Sequence, residues 1–217
     1  MTARDHPEPP TKSTRGRRPT TTKGDRQENA LLDSVEELLV TRPLAEITLH
    51  DIATHAGLSR SAAYFYFDNK LALTEAAVRR VLDNLLARLW ERAAAPEEPI
   101  AVTVEKYLED CTALWRQHAP LLSAATELLG QRPTLRAAWE KSMQTAASGL
   151  AAVIASKQAR GALPATGDPQ AQALAIAWMA ERNYYMLYTR QHTNAEEEHL
   201  PTVLAPLILH GIGARLP

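Results

Sequence analysis

Cysteine is almost missing from this sequence: Cys111 is the one thiol among 217 residues. An intrachain disulfide is therefore excluded. No CxxC pair or Cys/His cluster has the spacing of a zinc site, so metal chemistry is not expected and a reducing compartment is. Long apolar runs are absent too: none approaches the roughly 18 residues that cross a bilayer, and Met1-Thr2-Ala3-Arg4-Asp5-His6-Pro7 has no apolar signal core behind it. The expectation is a cytoplasmic, nucleoid-associated protein with no membrane partner. There is no alternating apolar and polar stretch bounded by hairpin turns, which argues against β architecture, and there is no internal repeat. No cofactor motif is present. Charge of one sign is not in excess overall, with 24 Lys and Arg against 25 Asp and Glu. The chain is nonetheless long enough to bury a core without staples.

The near-neutral balance hides an uneven distribution. Within residues 1–24, Arg4, Lys12, Arg15, Arg17, Arg18 and Lys23 face only Asp5 and Glu8. This segment is rich in Pro, Thr, Gly and Arg with almost no large apolar side chain, so it is expected to be disordered when free. It reads either as a nucleic-acid-binding arm or as a solubilising tail.

Beyond it the pattern is helical. Leu31, Leu32, Val35, Leu38 and Leu39 form one stripe of an amphipathic helix, which Pro43 ends. Thr48-Leu49-His50-Asp51 is a capping box opening a second helix that Gly57 stops. Ser59 is a good N-cap for a third, and Asp68-Asn69 caps a long fourth carrying Leu71, Val78, Leu82, Leu85 and Leu89. Past Pro96 and Pro99, breaks are expected at 118–120, 130–133, 161–168 and 192–198. Asp168-Pro169 is a helix start. The fold class is all-α with about nine helices: a disordered basic arm at 1–24, a three-helix helix-turn-helix head at 25–70, and a helical body at 71–217.

Function concentrates between Thr48 and Phe67. Ala53 is small enough for close helix packing, Gly57 relieves a tight turn four residues later, and Ser59 starts a helix free to enter a major groove. At about 100° per residue, Arg60, Ser61 and Tyr64 share one arc of the third helix. Arg60 can reach a guanine edge or a phosphate, Ser61 can bond either, and Tyr64 can offer its hydroxyl to a phosphate. Phe65 and Phe67 are read as core. Lys70 stands at the N-terminus of the fourth helix, where the dipole favours an anion.

Ile47-Thr48-Leu49-His50-Asp51-Ile52-Ala53, Ala56-Gly57-Leu58-Ser59, Tyr64-Phe65-Tyr66-Phe67 and Asn69-Lys70 form one contiguous block that resembles the TetR family of bacterial transcriptional regulators. The resemblance covers about residues 26–80. It implies a homodimer with a DNA-binding head and a body that holds a small effector, and it adds His50, Ala62, Tyr66 and Lys70 as DNA contacts. The "RPLAEIT" lead, the "YFYF" run and the basic arm look closest to the ethionamide-activation repressor subgroup. Thr14-Arg15-Gly16-Arg17-Arg18-Pro19 resembles the core of minor-groove A·T hooks, with one extra arginine. His50 and the two alanines of the third helix leave few base-edge bonds, so specificity is expected to lean on thymine methyl contacts and DNA shape.

In the body, Trp115, Trp139, Met143, Trp178, Glu181 and Tyr185 are the candidate pocket residues. Leu174, Trp178, Glu181 and Tyr185 follow i, i+4, i+7, i+11, a ring-bearing face with one carboxylate that serves either as core or as the wall of an apolar tunnel. The resembling subgroup has such a tunnel with two asparagines three apart. Here Ala177 and Ala180 stand at those places, so the ligand does not transfer. The last two helices, about 169–192 and 200–214, are the dimer-forming pair by resemblance, and Pro206 should kink the final one or move its start.

The resulting reading is a ligand-responsive repressor that binds double-stranded DNA at a palindromic operator, with a small hydrophobic effector and a second copy as its other partners. The alternative is an architectural protein that prefers A·T-rich DNA without specificity. An enzyme using Cys111 or His118 lacks a base, an oxyanion donor and a third group, so no catalytic residue is assigned.

Overall fold

The Leu31–Leu39 stripe becomes the buried face of α1 (Lys23–Leu39) in the computed structural model, which describes residues 22–93 and 98–214 and all of their side chains except those of 85–93. The helix starts two residues before the expected boundary because Thr22 and Asp25 form a capping box. Arg15, Arg17 and Arg18, with the rest of the arm to residue 21, lie outside the described residues. A 3-10 turn at Leu44–Glu46 leads into α2 (Leu49–His55), α3 (Arg60–Tyr66) and α4 (Lys70–Ala93).

The body consists of α5 (Ile100–Leu128), α6 (Pro133–Ala159), α7 (Pro169–Tyr188) and α8 (Asn194–Gly211), and α4 packs against α5 and α6. Among the described residues there are thus eight α-helices and no strand. The count is one below the expected nine because α5 runs straight through Pro120. Losing an interior helix bond costs about 3 kcal/mol. The residues just beyond the proline offset it: Leu121, Leu122 and Ala125 are almost fully buried, and each such leucine contributes about 1.5–3 kcal/mol.

Helix α8 likewise begins at Asn194 rather than near 200. Thr193 and Glu196 form a capping box, in which Thr193 N–H donates to Glu196 Oε2 at 2.9 Å and Glu196 N–H donates to Thr193 Oγ1 at 3.2 Å. Pro201 and Pro206 both sit inside the helix.

Helix α4 joins the two halves. It packs on α1 at one end and on α5 and α6 further along, so a single apolar cluster continues from Leu31 to Ile212. No helix among the described residues is long and apolar enough to cross a membrane.

Candidate nucleic-acid interface and effector cavity

The geometry of the helix-turn-helix is set by its caps. Asp51 N–H donates to Thr48 Oγ1 at 3.1 Å, and the Thr48 hydroxyl and then the Thr48 N–H, donating to Asp51 Oδ2 at 2.7 and 2.8 Å, hold the Asp51 carboxyl below the usual carboxylate range. At the other end of α2, Leu58 N–H reaches Ala53 O at 2.8 Å and Gly57 N–H reaches Thr54 O at 3.1 Å. This double return bond needs a left-handed residue at its corner, and Gly57 supplies it with φ +67°. Ala53 is fully buried beneath the turn. Ser59 Oγ then accepts from Ala62 N–H at 3.2 Å and fixes the direction of α3.

Helix α3 presents two faces. Ala63 and Phe67 are buried, Ala62 and Tyr66 are half-buried, and Arg60, Ser61, Tyr64 and Phe65 are exposed. Arg60, Ser61 and Tyr64 come together on the free face, with the Arg60 guanidinium carbon 5.4 Å from the centroid of the Tyr64 ring. His50 is exposed at the start of α2. Phe67 packs in the core as expected, but Phe65 does not: it is 83% exposed, one of the most exposed large apolar side chains described. Residues two apart on a helix diverge by about 200°, so Phe65 points away from buried Ala63, whereas Phe67 is the extended C-cap beyond the helix and packs in the core. A period of two read from the "YFYF" run belongs to strands.

Two further expected contacts are engaged within the head. The Tyr66 hydroxyl donates to Gln27 Oε1 of α1 at 3.0 Å. The Lys70 ammonium donates to the carbonyls of Leu44, Ala45 and Ile47 at 2.7, 3.0 and 2.7 Å. Lys70 therefore braces the 3-10 turn and the approach to α2, with its three N–H bonds used. The exposed amides of α4 are met by Asn69, whose Oδ1 accepts from Leu71 and Ala72 N–H, both at 3.0 Å.

Head and body meet at a polar node. Arg80 of α4 contacts Asp33 Oδ1 at 2.8 Å, Asn29 Oδ1 at 3.3 Å and Glu36 Oε2 at 3.7 Å, all on α1. The other Glu36 oxygen holds the His118 ring of α5. A groove lined by Asp33, Glu36, Arg80 and His118 opens beside it.

Inside the body, α4, α5, α6 and α7 enclose a cavity of about 50 Å³. Trp115, Trp139, Met143 and Glu181 are on its walls. Trp178 and Tyr185 are not: both are half-buried against the core, with Tyr185 edge-on to Trp115 and beneath the Arg182 guanidinium. The stripe of α7 that faces the cavity is Ala177, Glu181 and Tyr184, rotated one residue from the bulky stripe visible in the sequence.

Tyr107, Cys111, Tyr184 and Leu82 were not anticipated as walls. Tyr184 is fully buried, and its hydroxyl donates to Leu108 O at 3.0 Å and lies 2.7 Å from Thr112 Oγ1. Burial pushes the Cys111 thiol up to about 12, so it is no nucleophile at neutral pH. Burial also raises Glu181, with Arg182 opposing. On the outside of the body, Met186 of α7 and Val203 and Leu207 of α8 are exposed apolar side chains.

Two family descriptions match this chain. "Transcriptional regulator EthR, C-terminal domain" covers residues 104–213, and "Bacterial regulatory proteins, tetR family" covers residues 31–77. The HTH-type transcriptional regulator EthR of Mycolicibacterium smegmatis is 29% identical over 211 residues, covering 95% of each chain. EthR of Mycobacterium tuberculosis is 29% identical over 194 residues, covering 84% of this chain and 85% of its own. Among solved structures, the fatty acid degradation regulator FadR of Bacillus halodurans superposes with a TM-score of 0.69 at 13% identity, covering 93% of this chain and 100% of that one. At that identity the likeness speaks for the fold alone.

Proposed function

This chain belongs to the TetR family of DNA-binding bacterial transcriptional regulators and carries a C-terminal domain of the EthR type, and on that footing we propose a ligand-responsive repressor that leaves a palindromic operator when a small, largely apolar effector binds. The observation that carries the DNA half is the division of α3. Ala63 and Phe67 anchor it, while Arg60, Ser61, Tyr64 and Phe65 form a free face that includes both polar donors and an apolar ring. Arg60 and Ser61 suit base edges or phosphates, Phe65 and Ala62 suit thymine methyl groups, and His50 and Tyr64 suit the flanking backbone. Tyr66 and Lys70 set the angle of the helix from behind.

One seven-residue helix gives few contacts, so tight specific binding calls for two half-sites and hence two heads. Exposed Met186, Val203 and Leu207 on α7 and α8 support that face as the dimer seam. Effector response is supported by the position of α4. Leu82 is a cavity wall, and Arg80, two residues earlier, holds α1. At about 50 Å³ the cavity has room for little more than a water or two, so an effector has to spread its walls and move α4. A head spacing that mismatches successive major grooves is then favoured, and the effector's differential affinity for the two spacings sets the response.

Selection of bound duplexes from a random DNA pool tests the reading. The expected product is an inverted repeat. Recovery of A·T-rich sequences without two-fold symmetry would instead point to architectural binding through the arm.

A further inference from the structure

Two buried polar groups on the cavity wall have no hydrogen-bond partner among the described residues. Glu181 is 8% exposed, and neither carboxylate oxygen has a hydrogen-bond partner among the described residues. Trp139 is 2% exposed, and its indole Nε1–H is likewise without an acceptor. Both line the same cavity. Buried polar groups are nearly always satisfied, and leaving them unmet costs free energy. An ionised carboxylate in an apolar wall is more costly still unless a cation joins it. Arg182, the cation beside Glu181 among the described residues, does not close that gap. Arg182 Nε stands 4.0 Å from Glu181 Oε2, and its side chain is 56% exposed and spread over the Tyr185 ring at 5.0 Å.

The rest of the wall is apolar and aromatic, with Tyr107, Trp115, Trp139 and Tyr184 around Met143. Such rings favour a flat ligand and, through their faces, a positive charge. Resting on the effector reading given above, we infer that the cavity selects a flat aromatic or cyclic amine, cationic at neutral pH, whose N–H groups bond to Glu181 while an acceptor on the same molecule can take the Trp139 indole N–H. The small side chains of Ala177 and Ala180 on the same helix offer no competing amide, which leaves Glu181 as the polar determinant of α7.

Calorimetry on the full chain with two near-isosteric probes, 1-naphthylmethylamine and 1-naphthylmethanol, tests this. Wild type is expected to prefer the amine by about tenfold or more, the difference a charge-assisted hydrogen bond makes. Glu181→Gln should erase the preference while leaving the alcohol unchanged. Ala146→Trp, which fills the cavity, should abolish binding of both. Equal binding of the two probes, lost in Ala146→Trp, overturns the amine inference and leaves the effector cavity standing. Absence of binding by either probe, or binding indifferent to Ala146→Trp, overturns both.

Discussion

The guanidinium of Arg80 lies 2.8 Å from the carboxylate of Asp33, tying α4 to α1 two residues before Leu82 meets the cavity. The pair is partly exposed, with side chains 26% and 59% accessible, so its contribution to stability is about 1 kcal/mol or less. Under the proposed function its role is transmission. Arg80→Ala should keep operator affinity within about twofold, yet reduce effector-driven release from about fivefold or more toward none. Gel shifts across a titration of 1-naphthylmethylamine measure both quantities.

The two phenylalanines of α3 should separate cleanly. Phe67→Ala empties a core position and should destabilise the protein by about 3–5 kcal/mol. Phe65→Ala removes an exposed ring and should leave stability within about 0.5 kcal/mol, while operator affinity falls about tenfold. Thermal melts and gel shifts on the same two variants decide the matter.

Lys70→Met should behave as a structural lesion. Three carbonyls lose their donor, and a loss of about 1–3 kcal/mol is expected. The salt dependence of DNA binding should keep its slope, because the Lys70 ammonium is spent on three carbonyls within the head. Arg60→Ala, in contrast, should reduce the slope by about one if Arg60 meets a phosphate.

Gly57→Ala places a side chain where nothing lies within 4 Å, so crowding is not the issue. The left-handed backbone is, and the change should cost about 1–2 kcal/mol. Gly57→Asn should recover part of it. Denaturant melts of both variants give the comparison.

Burial raises the Glu181 pKa in the folded state above its value of 4.5 in the unfolded chain. The native protein therefore holds a proton that the unfolded chain has released, and stability falls as pH rises above about 4.5 until it passes the folded value. Glu181→Gln removes this penalty. It should raise Tm at pH 7 and make little difference at pH 4.

Much of the head was legible because its signals are local. The Thr48–Asp51 capping box, Gly57 and Ser59 each specify the backbone within a few residues, and all three do so in the structure. The Thr193–Glu196 box carried the same kind of signal and was open to the same reading. Other features depend on partners distant in sequence. Lys70 finds its three carbonyls more than twenty residues away, and Pro120 survives in α5 because the apolar residues after it are buried by other helices. The cavity face of α7 was obscured by size: Trp178 and Tyr185 draw attention, but small Ala177 leaves the space.

Hydroxyl-radical footprinting of the full chain on the selected DNA tests the central claim most directly. The account predicts two protected segments related by a two-fold axis and separated by about one helical turn or a multiple of it, with both lost in Arg60→Ala. Uniform protection along the duplex, unchanged by Arg60→Ala and abolished by removal of residues 1–21, would contradict it.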